Sequence, residues 1–552
     1  MYRHQYAQYR VFTGTKHGAH HAGAGARDAR LSILIQGGTV YDGSGSPAFR
    51  ADIMLEGERI AAIGTALPAV GHARIVNAQG RIVCPGFVDI HRHADSAIFT
   101  APDFGKTEKA QGITALVVGN CGMAPVPCAH KWREEYYRYI EPVVGAIPSG
   151  LPFDTYLQYS EALSKLKIPF AIGFLAGAGA IKTAVRGFAP GPFTPEELAQ
   201  AVALVTEALE QGARGLSFGI MYQPECYSSK DELAALAAPV GRAGKIICAH
   251  IRGEGDSLVE SVQEMIDVAD KAEVALNISH FKATGIHNWR SLIFRAIERI
   301  EAARAKGQAV TADFYPYDGG STTLLSLIPP ALLEEGSKRL IAKLSTQAGR
   351  EELRKYLAEP QPGWDNMAAS IGWERILIAS TTLLEHESYC GKSVMQIAEE
   401  AGLEPVDLLA DLIVTEEGRV GIIVLSMAYD DIAVIARLPW TALISDSLYG
   451  AAARPHPRLN GAFPKFLRDY VRGSAILSLE EALHKMTAMP AQRLGFAERG
   501  VLKAGYYADI LVFDPERFTD HADYVHSTAL AEGMDLVMVK GEPQCSQNEE
   551  QP

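Results

Sequence analysis

Two histidines one residue apart, His91 and His93, close an apolar run reading Val88-Asp89-Ile90-His91-Arg92-His93. In an extended segment residues i and i+2 face the same way, so both imidazoles can meet one metal ion. Cys121 follows a second run in Val118-Gly119-Asn120-Cys121-Gly122, and His250, His280 and Asp446 end three more. Imidazole and thiolate ligands suit zinc, whereas magnesium and calcium prefer sites made of oxygen alone. Taken singly, a strand-end histidine is more often a hydrogen-bonded structural residue, and a buried cysteine usually acts as a small hydrophobe. Six candidate ligands converging on one rim make the metal reading the stronger one.

That convergence needs a scaffold. Short apolar runs alternate with helical stretches at 82–90, 115–118, 171–175, 215–218, 246–250, 275–280, 310–315 and 442–446. Eight strands alternating with helices predict an α/β fold, a (β/α)8 TIM-like barrel, whose catalytic groups sit at the C-terminal ends of strands. The candidate ligands fall there. The long interval 321–440 carries its own helical periodicity around 334–357 and 394–414, which predicts an insertion between the seventh and eighth strands on the catalytic face. Strand signals at 33–36, 52–56 and 59–63 recur at 509–513 and 536–539, with glycine turns between them. They predict a small β-sandwich made by both chain ends. The domain expectation is a disordered N-terminal tail over 1–30, sandwich parts over 31–84 and 496–545, and a metal-dependent barrel over 85–495.

Composition narrows the partner. Of 552 residues, 47% are hydrophobic and 21% charged, the make-up of an ordinary globular α/β enzyme. A formal charge of −13 with no concentrated Lys/Arg tract argues against nucleic acid or an anionic membrane surface and for a small-molecule substrate. Seven scattered cysteines in so long a chain suggest a reducing, cytoplasmic home. No apolar run approaches the roughly 20 residues that span a bilayer, and the first thirty residues lack a signal-peptide core. His4, His17, His20 and His21 in that opening stretch are expected to belong to the tail.

The motifs also carry a resemblance. Gly37-Gly38-Thr39-Val40-Tyr41-Asp42-Gly43, Val83-Cys84-Pro85-Gly86-Phe87-Val88-Asp89 and Gly505-Tyr506-Tyr507-Ala508-Asp509-Ile510 resemble signatures of the amidohydrolase superfamily. Gly119-Asn120-Cys121-Gly122, His250-Ile251-Arg252 before Glu254-Gly255, Ser279-His280-Phe281-Lys282, Tyr315-Pro316-Tyr317 before Ser321-Thr322, and His456-Pro457-Arg458 look like the N-acyl-D-amino-acid deacylase family within it. The resemblance runs from about 31 to 544. It implies a tight zinc on Cys121, His250 and His280, and a second, weaker site on His91, His93 and Asp446. It also implies that Lys282, Tyr315 and Arg458 grip the substrate α-carboxylate and that Ser321 lines the pocket. Two cations beside a phenol hydroxyl suit a carboxylate. One departure is that Gly177-Ala178-Gly179 stands where this family usually shows Gly-His-Gly. Glu225 and Cys226, after the fourth strand, are expected to be structural rather than specificity residues.

The implied reaction is metal-dependent hydrolysis of a linear amide, with Asp446 taking a proton from water and returning it to the leaving amine. A cyclic-amide hydrolase of the dihydroorotase or hydantoinase type is disfavoured, because 215–219 offers no bridging lysine. A deacylase confined to acidic or to hydrophobic D-amino acids fits the same motifs. A non-catalytic scaffold on this fold is disfavoured, because all six ligand positions are filled. The oligomeric state is not legible.

Overall fold

The computed structural model describes residues 32–546 apart from 70–72, 149, 151–152, 362 and 451–452. The expected tail over 1–30, with its four histidines, lies outside the described residues. Apolar runs that are buried along their whole length become parallel strands, because helices cover the outer face. Ile113–Val118, Gly215–Gly219 and Ile246–His250 are buried at every position. Pairing follows chain order from Phe87–Asp89 to Ile113–Val118 to Ala171–Phe174. One residue on, Ala176–Gly177 opens a second ladder that passes through Gly215–Gly219, Ile246–His250, Ala275–Ile278, Val310–Phe314 and Thr441–Leu443. The circuit returns to its start, since Ser447 and Leu448 pair in parallel with Arg92 and His93.

Helices separate consecutive strands. Leu258–Lys271 shows why they pack: Leu258, Val262, Met265, Ile266 and Ala269 form one buried stripe at helical spacing. Pro195–Glu210 and Lys230–Arg242 start at capping boxes, Thr194 with Glu197 and Ser229 with Glu232, which satisfy otherwise unpaired amides.

Both chain ends share one eight-stranded sheet. Ile510–Phe513 pairs antiparallel with Ile82–Pro85, which pairs with Ser32–Val40. The run 82–90, expected as a single strand, therefore divides at Gly86. There the chain approaches Thr114 so closely that a Cβ would lie 2.0 Å from its Oγ1, and the backbone changes partner.

Between Val310–Phe314 and Thr441–Leu443 a separate antiparallel sheet forms from Gly320–Thr323, Gly421–Val424 and Ile376–Ser380. With helices Ser337–Leu344, Gln347–Ala358, Val394–Ala401 and Pro405–Thr415 it encloses a second core that includes Leu340, Leu353, Ile378, Leu409 and Ile422. Sequence periodicity pointed to the helices but not to this sheet, because short apolar runs such as 421–424 are ambiguous between strand and buried helix. Among the described residues no helix is long and apolar enough to cross a membrane.

Candidate metal centre and substrate cleft

The six candidate ligands come together. Cys121 Sγ lies 3.3 Å from His91 Nε2 and 3.5 Å from His280 Nε2. Asp446 Oδ1 lies 3.3 Å from His91 Nε2 and 3.4 Å from His93 Nε2. Two sets, His91 with His93 and Cys121, and Cys121 with His250 and His280, hold their ligand atoms within 4.8 Å of one another. All are buried. Cys121 is common to both sets.

The backbone is bent to achieve this. His250 is the last residue of its strand, but His280 lies two residues past Ala275–Ile278 and Asp446 three past Thr441–Leu443. Cys121, His280 and Asp446 have φ of 52°, 36° and 52°, a left-handed conformation that costs a non-glycine residue about 1 kcal/mol. Alternation along a strand thus does not aim these three side chains. Hydrogen bonds hold the turns instead. The His280 amide donates to Asp313 Oδ1 at 2.5 Å, and Asp313 Oδ2 accepts from Asn277 at 2.6 Å. The Asp446 amide donates to the His91 carbonyl at 2.9 Å, while the preceding Ser445 amide and hydroxyl are held by Asp89 at 3.1 and 2.5 Å. The Gly122 amide, next to Cys121, donates to Ser217 Oγ at 3.0 Å.

Electrostatics suit a cation. Burial drives the His91, His250 and His280 imidazoles well below the usual histidine range, so they stay neutral with a lone pair to offer. Burial also pushes the Cys121 thiol well above its ordinary value. Burial alone would raise Asp446, but Arg458 and then His91 outweigh it and hold the carboxyl well below the usual carboxylate range. The buried Nδ1 atoms of His91, His93 and His250 have no hydrogen-bond partner. A cluster of neutral imidazoles and one thiol, with polar atoms left unsatisfied at depth, is costly unless a metal uses it. The donor set therefore fits a divalent ion.

A cleft opens over this cluster. Its lining includes His93, Cys121, His250, His280, Asp446 and the four residues expected to meet substrate, Lys282, Tyr315, Arg458 and Ser321. Lys282 Nζ sits 2.5 Å from Glu254 Oε1 and 2.8 Å from His280 Nδ1. Burial would lower this lysine, but Glu254 reverses the direction and keeps it charged. Arg458 Nη1 is 2.8 Å from Asp446 Oδ2, yet none of its guanidinium nitrogens makes a directed hydrogen bond. The guanidinium lies 4.6 Å from the centre of the Tyr315 ring, whose buried hydroxyl is also without a partner. Ser321 Oγ donates to the Ile422 carbonyl at 3.1 Å.

Ala178 is buried at the start of helix Ala178–Arg186 and is absent from the cleft lining. Glu225 lies behind the Cys121 turn: its carboxylate accepts from the Gly219 amide at 3.1 Å, and a Cβ on Gly122 would stand 1.8 Å from Oε2. Cys226 lines a neighbouring hollow that shares Met221 and Tyr222 with the cleft. Sequence reasoning assigned no role to Asp313, Glu254, Asp89 or Arg92. Arg92 is fully buried and pairs with Asp89 at 3.1 Å and Glu108 at 2.9 Å, bracing the His91 segment from beneath. A signal existed in Asp313, a charged residue inside an otherwise uncharged strand, Val310–Phe314.

Comparison with known proteins points the same way. The description "Amidohydrolase family" matches residues 397–543. The chain is 32% identical to a D-aminoacylase of Alcaligenes xylosoxydans xylosoxydans over 93% of its length and 94% of the relative's. It is 32% identical to an N-acyl-D-glutamate deacylase of the same organism, covering 93% of each chain. A solved N-acyl-D-glutamate deacylase from Bordetella bronchiseptica, complexed with zinc and a phosphonate mimic of the tetrahedral intermediate, superposes with a TM-score of 0.79 at 30% identity. That match covers 94% of this chain and 97% of the other. A dihydropyrimidinase from Brevibacillus agri, at 15% identity and a TM-score of 0.54 over 94% and 95% of the two chains, shares the fold alone.

Proposed function

Because the chain belongs to the amidohydrolase family, among its D-aminoacylases and N-acyl-D-amino-acid deacylases, we propose that it hydrolyses the amide bond of N-acyl-D-amino acids to a D-amino acid and a carboxylate. We assign Cys121, His250 and His280 to a tight zinc site, and His91, His93 and Asp446 to a weaker second one. The observation that carries the reading is the clustering of these ligand atoms, buried at the floor of a cleft that also holds Lys282, Tyr315 and Arg458. A divalent ion in such a site supplies polarisation of the acyl carbonyl and a more acidic water.

The chain's own groups do the rest. Asp446, kept ionised, accepts the proton of the attacking water and then delivers it to the leaving nitrogen. Arg458 and Lys282, with the Tyr315 hydroxyl, bind the α-carboxylate and fix which face of Cα turns toward the floor, the source of a D preference. We read the two parallel ladders and the Ser447–Arg92 closure as one (β/α)8 barrel over 85–495, interrupted by the insertion at 321–440. The terminal sheet, over 31–84 and 496–545, is read as a β-sandwich. The circular order of pairing and three of the four separate apolar cores among the described residues support this division.

Amine release from paired N-acetyl-D- and N-acetyl-L-amino acids, with metal counted in the same sample, tests the proposal. Release confined to D-substrates, lost on chelation and absent in Asp446→Ala, is expected. Wild-type turnover in Asp446→Ala would sink it.

A further inference from the structure

The cleft's charge balance bears on which D-amino acid is taken, and this inference rests on the reaction just proposed. Among the described residues of the lining, Lys282 and Arg458 are the only side chains with a fixed positive charge. The undescribed positions between 149 and 452 include no lysine or arginine in the sequence. Both cations face carboxylates already, Glu254 at 2.5 Å and Asp446 at 2.8 Å. One substrate α-carboxylate uses what they have left. A second carboxylate, on an aspartate or glutamate side chain, finds no further cationic side chain in the described lining, which instead holds the carboxylate of Glu254.

The neutral polar groups do not replace a cation. The Ser321 hydroxyl hydrogen is committed to the Ile422 carbonyl, and Thr322 Oγ1 is paired with the Tyr222 hydroxyl at 3.2 Å. The rest of the wall is Gly320, the neutral hydroxyl residues Thr284 and Ser426, and the apolar Met123, Val143, Met221, Met367, Val424 and Leu448. The hollow beyond Met221 and Tyr222 continues that character with Leu325, Ile328 and Leu333. Burying a charge against such a wall without a partner is far costlier than burying an apolar group, which gains from leaving water.

We infer that the site selects N-acyl-D-amino acids with uncharged, predominantly apolar side chains and rejects the acidic ones. The test compares kcat/KM for N-acetyl-D-leucine, -D-methionine, -D-glutamine, -D-glutamate and -D-aspartate on the metal-loaded enzyme. Leucine and methionine derivatives should exceed the glutamate derivative by at least about 100-fold, as for a site whose polar partner is missing. Glutamine, which matches glutamate in size but not in charge, should fall between them. Glutamate or aspartate derivatives within about tenfold of leucine would overturn the inference. If no acylated D-amino acid is cleaved, the reaction reading fails, and calorimetric titration of the same compounds then reads the charge preference directly. Tighter binding of the glutamate than of the leucine derivative would overturn the inference there too.

Discussion

Cys121 is the residue on which both potential ligand sets depend, and its chemistry sets a pH dependence. Burial holds its thiol protonated well above its ordinary value in the metal-free chain. The neighbouring imidazoles are already neutral because burial has pushed them down. A metal entering at Cys121, His250 and His280 must therefore displace one proton, from sulfur, and none from these imidazoles. Metal affinity should rise ~tenfold per pH unit between pH 6 and 8, measured by competition against a chelator. Cys121→Ser should bind metal far more weakly and lose the slope; a pH-independent affinity in the wild type would contradict a proton released from sulfur. At the same scale, Asp446 illustrates how neighbours set a charge state: burial alone would raise its carboxyl, and Arg458 at 2.8 Å is the foremost of the groups that hold it low instead.

At the scale of elements, the working parts are the turns just past the strands. The turn bearing Cys121 is flanked by Gly119 and Gly122, with φ of 79° and 70°, and leans on the buried carboxyl of Glu225. Burial raises Glu225 to about 8, above its unfolded value of roughly 4.3. Its contribution to stability is full below the unfolded value and is lost as pH rises through the folded one. Glu225 therefore contributes a fall in thermal stability from pH 5 toward pH 8.5, opposed below about pH 6.5 by the buried neutral histidines, whose stabilisation grows as pH rises. Glu225→Gln, which keeps an acceptor for the Gly219 amide, should make the slope between about pH 6.5 and 8.5 less negative. Calorimetry across this range reads the effect, and an unchanged slope in the variant would remove Glu225 as its source. Asp95, also raised by burial to about 8, contributes in the same direction, so flattening is partial.

For the whole molecule, the division into separate cores assigns separate duties. The candidate metal ligands stand on the parallel strands and their turns, whereas Ser321, Thr322, Val424 and Met367 reach the cleft from the segment between Val310–Phe314 and Thr441–Leu443. Ile422 is fully buried in that segment's own core and is the residue whose carbonyl holds Ser321. Ile422→Ala should cost ~2–4 kcal/mol of stability, raise KM and leave metal content unchanged. Denaturant melts, metal analysis and kinetics on one preparation decide the matter; a loss of metal with KM intact would refute this division of labour.

The sequence by itself determined the types of the candidate ligands and their placement after successive apolar runs. Those features are local: burial pattern fixes strand and helix, and His, Cys and Asp carry the same donors wherever they stand. It also showed the helical periodicity within 321–440 and the strand grammar at both termini. The tertiary structure alone decided how His280 and Asp446 are aimed, because a left-handed turn is held by distant partners, Asp313 and Asp89, that no short window contains. It alone revealed that Glu254 and Asp446 already answer the two cleft cations. Charge balance is a property of groups brought together from 254, 282, 446 and 458, so it exists only once the chain has folded.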